Sequence, residues 1–117
     1  MATLAVEGAE LVVRLSTMEK LGSLRGDLRV PVSAVRSVTV EPSQWGLVRG
    51  IRMAGAGVPG VIALGSRRHS GGKDFTAIYG RRPVVRIELA DGSPFARLLI
   101  RVASPEQAAA MIPPAPR

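Results

Sequence analysis

The stretch that decides the fold is residues 84–102, which read VVRIELADGSPFARLLIRV. Apolar side chains recur at every second position in both halves of it: Val85, Ile87 and Leu89, then Leu98, Ile100 and Val102. A period of two is typical of a strand that buries one face. Asp91-Gly92 lies between the halves and favours a tight turn. The stretch therefore predicts two antiparallel strands joined at Asp91-Gly92.

A short helix is predicted directly after this hairpin. Ser104 is a suitable N-cap, Pro105 fits the first helical position, and Gln107 completes a capping box. Its expected apolar face consists of Ala108, Met111 and Ile112. Two prolines then end the helix, and residues 113–117 form a short Pro-rich tail.

The preceding part of the chain contributes further short strands. They are predicted at residues 10–16, 28–31, 36–41, 61–66 and 75–79. Ser16-Thr17-Met18-Glu19 matches a capping box and predicts a short helical turn after the first strand. Residues 43–60 are rich in Gly and predicted to be irregular, and Arg67–Lys73 is predicted to be the turn of a hairpin. The pattern indicates a single, mostly β domain at residues 1–112, with about seven strands and a C-terminal helix.

Composition excludes several classes of protein. The 117 residues are 46% hydrophobic and 21% charged, which is typical of a globular domain. There is no Cys, so disulfides, thiol catalysis and thiolate zinc sites are excluded. No signal-peptide pattern opens the sequence, and no uncharged run is long enough to span a bilayer. We therefore expect a cytoplasmic protein without a transmembrane segment.

Several segments together resemble a known family. They are Val30–Arg36, Arg49–Arg52, Gly57–Arg68, Gly72–Phe75 and Ser104–Glu106. They resemble the bacterial PH-like (pleckstrin-homology-like) domain proteins, in particular small uncharacterised actinobacterial members, over roughly residues 10–112. The resemblance implies two bent antiparallel sheets that form a partly open barrel, with the C-terminal helix plugging one end. It implies no catalytic residues and no defined ligand residues.

The first hairpin differs from that of phosphoinositide-binding PH domains, which carry a basic motif there. Here the corresponding region, Arg14–Arg25, is predicted to be a helical turn with only Lys20 between the two arginines. This difference argues against inositol-lipid binding.

The positive charge is concentrated in one third of the chain. The net charge is +7, and residues 45–83 hold seven cations and one carboxylate, which leaves +6 there. The cations are Arg49, Arg52, Arg67, Arg68, Lys73, Arg81 and Arg82. One interpretation is a solvated loop face in which some arginines pair with carboxylates such as Glu41 and Glu88. The other is an anion-binding or partner-binding surface.

Catalytic and cofactor sites are not indicated. His69 is the only His, and we expect it in a solvated turn. Asp74 is near it in sequence, but Lys73 is the easier partner for that carboxylate. The Gly-rich residues 55–60 lack the ending of a phosphate loop and precede no helix pattern, so they predict a bent loop. No metal or cofactor is predicted.

Three functional hypotheses remain. The first is a non-catalytic PH-like interaction module that binds a protein, a peptide or an anionic surface, with self-association along an exposed strand edge as one form of it. The second is electrostatic binding of nucleic acid through residues 49–82, although Trp45 is the only Trp and no aromatic residues interleave with the cations to stack bases. An enzyme of unknown type is the third and has the least support.

Overall fold

Two β-sheets and two helices make up the computed structural model, which describes residues 2–23, 26–42, 51–58, 62–70, 72–79, 83–90 and 92–112. The described strands are β1 (Thr3–Glu7), β2 (Glu10–Arg14), β3 (Leu28–Pro31), β4 (Val35–Glu41), β5 (Ile51–Val58), β6 (Ile62–His69), β7 (Gly72–Tyr79), β8 (Val84–Leu89) and β9 (Arg97–Ile100). The α-helices are α1 (Thr17–Ser23) and α2 (Pro105–Met111), and a 3-10 helix spans Val32–Ala34. The prediction of a mostly β chain with a C-terminal helix is confirmed.

The sheets differ in size and topology. One is three-stranded in the order β1-β2-β3, and the other is six-stranded in the order β4-β8-β9-β7-β6-β5. Every described pairing is antiparallel except that of β7 with β9. Strand β9 therefore lies between β8, its partner along the chain, and β7, which precedes β8.

The main hydrophobic core contains apolar side chains from both sheets. Leu11 and Val13 of the smaller sheet and Phe75, Ile87 and Leu98 of the larger one are completely buried members of it. Burying side chains of this size stabilises the fold by roughly 1.5–3 kcal/mol each. The end of α2 closes one side of this core through the buried Ile112. With aromatics at only 3% of the chain, aliphatic side chains supply most of this burial.

Helix α1 begins with the capping box that the sequence predicts. The backbone N–H of Glu19 donates to Ser16 Oγ at 3.2 Å, and the N–H of Ser16 donates to Glu19 Oε1 at 2.8 Å. Glu19 is fully buried. Burial, together with the neighbouring Glu19 carboxylate, raises the pKa of the Tyr79 hydroxyl above its ordinary value. The capping carboxylate therefore also acts electrostatically on the end of β7.

Two strands were missing from the sequence prediction. Strand β1 lies outside every predicted strand, and the prediction of an irregular segment at residues 43–60 is wrong for β5. Pairing with β6 explains β5: Gly55 lies opposite Gly65 and Gly57 opposite Ala63, so hydrogen bonding to a neighbour overrides weak intrinsic strand propensity. Residues 43–50, with Trp45, lie outside the described residues, and so does the predicted tail at 113–117.

The connection between β8 and β9 is longer than predicted. The two strands pair antiparallel as expected, with Glu88 opposite Arg97. The N–H of Ser93 donates to the carbonyl of Ala90 at 3.2 Å, which is the hydrogen bond of a tight turn around positions 91 and 92, as the sequence predicts. Asp91 itself lies outside the described residues, and residues 90–96 in all separate the two strands. The reason is Phe95, which is only 2% exposed and enters the core from this loop. A two-residue connection between the strands would leave no residue to place that ring.

Helix α2 begins where the sequence predicts but with different capping. Ser104 is the N-cap residue and Pro105 opens the helix, yet the Ser104 side chain makes no cap hydrogen bond. The predicted capping box with Gln107 is therefore wrong. The apolar face is also only partly correct, because Met111 is 45% exposed while Ile112 is buried.

The capping box of α1 gives a direct stability prediction. Replacing an N-cap Ser by Ala typically costs about 1 kcal/mol, so we expect Ser16→Ala to lower the free energy of unfolding by about that amount. Thr17→Ala removes an exposed hydroxyl from the next residue and should change it by less than about 0.5 kcal/mol. Urea unfolding of both variants measures the difference. Equal losses in the two variants would contradict the capping role of Ser16.

Candidate functional site

The parallel pairing of β7 with β9 brings two loops together. Parallel strands begin at the same edge of a sheet, so the turn before β7 and the loop before β9 lie side by side. The N–H of Ala96 donates to the carbonyl of Lys73 at 2.6 Å, and the N–H of Leu89 donates to the carbonyl of Ala96 at 2.9 Å. The start of β7 is therefore fixed to the loop that precedes β9.

A cleft of about 460 Å³ lies between these two loops. Its hairpin side consists of Arg68, Gly72 and Lys73, and its other side consists of residues 89, 90 and 92–96. The volume lies within the range of small-molecule binding sites. Two of the seven cations that the sequence analysis selected thus line one concave surface.

Arg68 and Lys73 face each other across the hairpin. They are Cα partners in the β6–β7 register, and Arg68 is exposed while Lys73 is half-buried. Within the part of the chain that the structure describes, no carboxylate lies within ion-pair distance of either cation. Like charges directly opposite each other on neighbouring strands destabilise a sheet. The fold therefore keeps an unfavourable pair of cations at the mouth of a cleft.

The ammonium of Lys73 contacts the aromatic ring of Phe95. The Lys73 ammonium lies 5.4 Å from the centroid of the Phe95 ring, a cation–π distance. Phe95 is in turn held edge-on by the fully buried Phe75, with ring centroids 5.9 Å apart at an interplanar angle of 69°. The position of the ammonium is thus fixed by the core.

Arg67, another of the predicted cations, does not join this pair. Arg67 precedes Arg68 in the same strand, so its side chain points to the opposite face of the sheet, where Asp74 is its Cα partner. Arg52 occupies the β5 position opposite Arg67. Arg49, Arg81 and Arg82 lie outside the described residues. Among the described residues, Arg67 therefore lies on the opposite face of the sheet from Arg68 and Lys73.

The expectation that His69 lies in a solvated turn is wrong. Its Nε2 atom is 2.8 Å from Asp74 Oδ1, and the side chains of His69 and Asp74 are only 11% and 1% exposed. Lys73 is not the partner of Asp74, because consecutive residues of β7 point to opposite faces. The hairpin register explains the pairing: His69 lies opposite Gly72, which makes Asp74 its diagonal neighbour on the same face.

A network of ion pairs covers the same face further along the sheet. Glu88 accepts a hydrogen bond from Arg97 Nε at 2.6 Å and another from Arg86 Nε at 3.0 Å, and Arg86 also reaches Glu41 at 3.4 Å. Glu41 and Glu88 thus pair with arginines, as one sequence interpretation expected, although these arginines lie outside residues 45–83. Burial acts to raise the pKa of Glu88, but the hydrogen bonds from Arg97 and Arg86 outweigh it and lower the pKa.

A second depression on the surface is apolar, unlike the cleft at Arg68 and Lys73. It is a groove of about 260 Å³ between β1 and α2, lined mainly by apolar atoms of residues such as Leu4, Val102 and Met111. None of the described residues that line it is charged. The charge concentration that the sequence indicates is therefore associated with the cleft and not with this groove.

Comparisons with known proteins add no relative. No protein-family model matches the chain, and no curated protein or solved structure matches it either. Among the described residues, no three His, Asp or Glu side chains are grouped as metal ligands. No helix in the described ranges is long and apolar enough to cross a membrane.

The lowered pKa of Glu88 predicts an acid-sensitive contribution to stability. Since the folded pKa lies below the ordinary value of 4.5, Glu88 stabilises the fold above that pH and loses this effect as pH falls through the folded pKa. We expect Glu88→Gln to cost about 2 kcal/mol at neutral pH, because it removes a charged acceptor from the hydrogen bond of the buried Arg97. The variant should also have a flatter pH dependence in the acid range.

The measurement is urea unfolding between neutral pH and about pH 3, around the ordinary Glu value. Glu106→Gln, which removes an exposed carboxylate from α2, is the control and should follow the unmodified protein closely. Parallel pH profiles for Glu88→Gln and the unmodified protein would contradict the assignment.

Proposed function

We propose that this chain is a non-catalytic, PH-like interaction module that binds an anionic partner through the cleft at Arg68 and Lys73. The observation that carries the proposal is the pair of cations that face each other in the cleft without a carboxylate among the described residues. Elsewhere on the same sheet, Arg86 and Arg97 are paired with carboxylates. A cation pair left without such a partner inside a concave surface is therefore a suitable receptor for an external anion.

The architecture supports the PH-like part of the proposal. Two sheets contribute to the main core, and a C-terminal helix packs at its side through Ile112. Two sheets and a C-terminal helix agree with what the resemblance implies, whereas the parallel pairing of β7 with β9 departs from the antiparallel sheets that it implies. A net charge of +7 would attract anionic partners over longer distances before they contact the cleft.

Charge reversal tests the binding site. Arg68→Glu with Lys73→Glu should weaken binding to polyglutamate, or to vesicles rich in phosphatidylserine, by more than about 10-fold, since two contact charges become repulsive. Fluorescence anisotropy and vesicle co-sedimentation provide the affinities. The control compares Arg36→Glu with Arg68→Glu alone, since each reverses one exposed arginine and changes the net charge equally, and only Arg68 lines the cleft.

The outcomes separate local contacts from net charge. A loss confined to the cleft variant supports the proposal, whereas equal losses in both variants, or no binding to either anionic probe, would overturn it. Duplex DNA of matched charge provides a further arm. If DNA binds tightly and is unaffected by reversal at the cleft, the alternative of a nucleic-acid-binding protein that uses the wider region 49–82 replaces this proposal.

The free energy of unfolding provides an independent test of the proposal, because a residue that binds a partner need not stabilise the fold. Arg68→Gln removes one of two facing cations and should leave the free energy of unfolding unchanged or raise it by about 0.5 kcal/mol. Arg67→Gln removes the neighbouring arginine, which lies opposite Asp74, and should lower it by about 1 kcal/mol. Thermal or urea unfolding of both variants measures these changes in the free energy of unfolding. A substantial loss in Arg68→Gln would show that this arginine is structural.

A further inference from the structure

Building on the proposed function, we infer that the cleft holds one compact doubly charged oxyanion between Arg68 and Lys73, of the kind that a phosphate monoester presents. The two residues are Cα partners, and side chains in that relation have their Cβ atoms about 4.5–5.5 Å apart. Both line the same cleft. Their charges can therefore converge on a single group, which favours one concentrated dianion over charges spread along a chain.

The two cations have complementary roles in such a site. The guanidinium of Arg68 offers a planar set of N–H donors that matches two oxygens of a phosphate or carboxylate group. Lys73 supplies a compact charge whose position above the Phe95 ring is already fixed at 5.4 Å. Because Phe95 is anchored against Phe75 in the core, less side-chain freedom is lost when the anion binds.

The other walls of the cleft suit the same ligand. Ser93 is half-buried and lines the cleft, so its hydroxyl is an additional uncharged donor. Gly72 and Gly92 have φ angles of +128° and +88°, which favour Gly and leave the walls without side chains at those points. The cleft volume of about 460 Å³ exceeds that of one oxyanion, so the carrier of the group also has room.

Titration of the ligand distinguishes a dianion from a monoanion. A phosphate monoester loses its second proton near pH 6, whereas sulfate is doubly charged throughout this range. The protein groups around the cleft that can respond are Arg68, Lys73 and the adjacent His69 with Asp74 behind it; Asp91, between the two described parts of the loop, is a further carboxylate in the sequence. Protonation of any of these protein groups changes the affinity for sulfate as well. The ratio of the affinity for methyl phosphate to that for sulfate therefore reports the charge of the ligand.

The experiment is calorimetric titration of the full chain with methyl phosphate and with sulfate, from pH 5 to about 7.5. We expect the affinity for methyl phosphate, relative to sulfate, to rise about 10-fold as its second proton is lost. Arg68→Gln and Lys73→Gln should each weaken both ligands about 10-fold, because each removes a charge-assisted contact. Arg36→Gln, an exposed arginine in β4, is the matched control and should change neither. Asp91→Asn should leave the ratio of the two affinities rising with pH.

Vesicles that contain phosphatidic acid determine whether a lipid can present the same group. If methyl phosphate competes with these vesicles, the cleft recognises the phosphate group itself in either carrier. The inference is overturned if neither methyl phosphate nor sulfate binds saturably, or if their affinity ratio is independent of pH. In that case, binding of polyglutamate or phosphatidylserine vesicles can still depend on Arg68 and Lys73. If it does, the proposed function stands and only the compact dianion is rejected.

Discussion

The placement of β9 between β8 and β7 is the constraint on which the rest of the structure depends. It creates the one parallel pairing among the described strands, and it makes β7, β8 and β9 the centre of the six-stranded sheet. Leu98, Leu99 and Ile100 are consequently buried whichever face they point to. The same placement brings the loop before β9 against the start of β7, where the N–H of Ala96 bonds to Lys73. The cleft is thus a direct result of strand order.

The cations on the two faces of this sheet have different surroundings. On one face Arg86 and Arg97 share the carboxylate of Glu88, so these charges are compensated inside the protein, and His69 contacts the buried Asp74. On the other face, beyond the edge of the core, the cations of the cleft face each other without such a carboxylate among the described residues. Compensation of buried charge is a structural requirement. The proposed binding of an anion rests on the two facing cations of the cleft.

Local patterns in the sequence predict much of this fold, and long-range pairing accounts for the rest. Alternation in β7 and β8 and the capping box at Ser16 depend on neighbouring residues, so the sequence is sufficient for them. Strand β5 depends on pairing with β6, and the loop before β9 depends on the burial of Phe95, which no short window contains. For the candidate site, charge density in the sequence indicated the region that contains Arg68 and Lys73. The strand register was needed to separate Arg68 from Arg67.

The central claim is that an anion is held at one place, between the β6–β7 hairpin and the loop before β9. Chemical-shift mapping of backbone amides during titration with sulfate tests this most directly. The account predicts saturable shifts concentrated at Lys73, Ser93 and Ala96, which line the cleft. Amides near Arg14 and Arg29, whose side chains pair with Glu7, should move little. Shifts spread evenly over all exposed arginines would contradict a localised site.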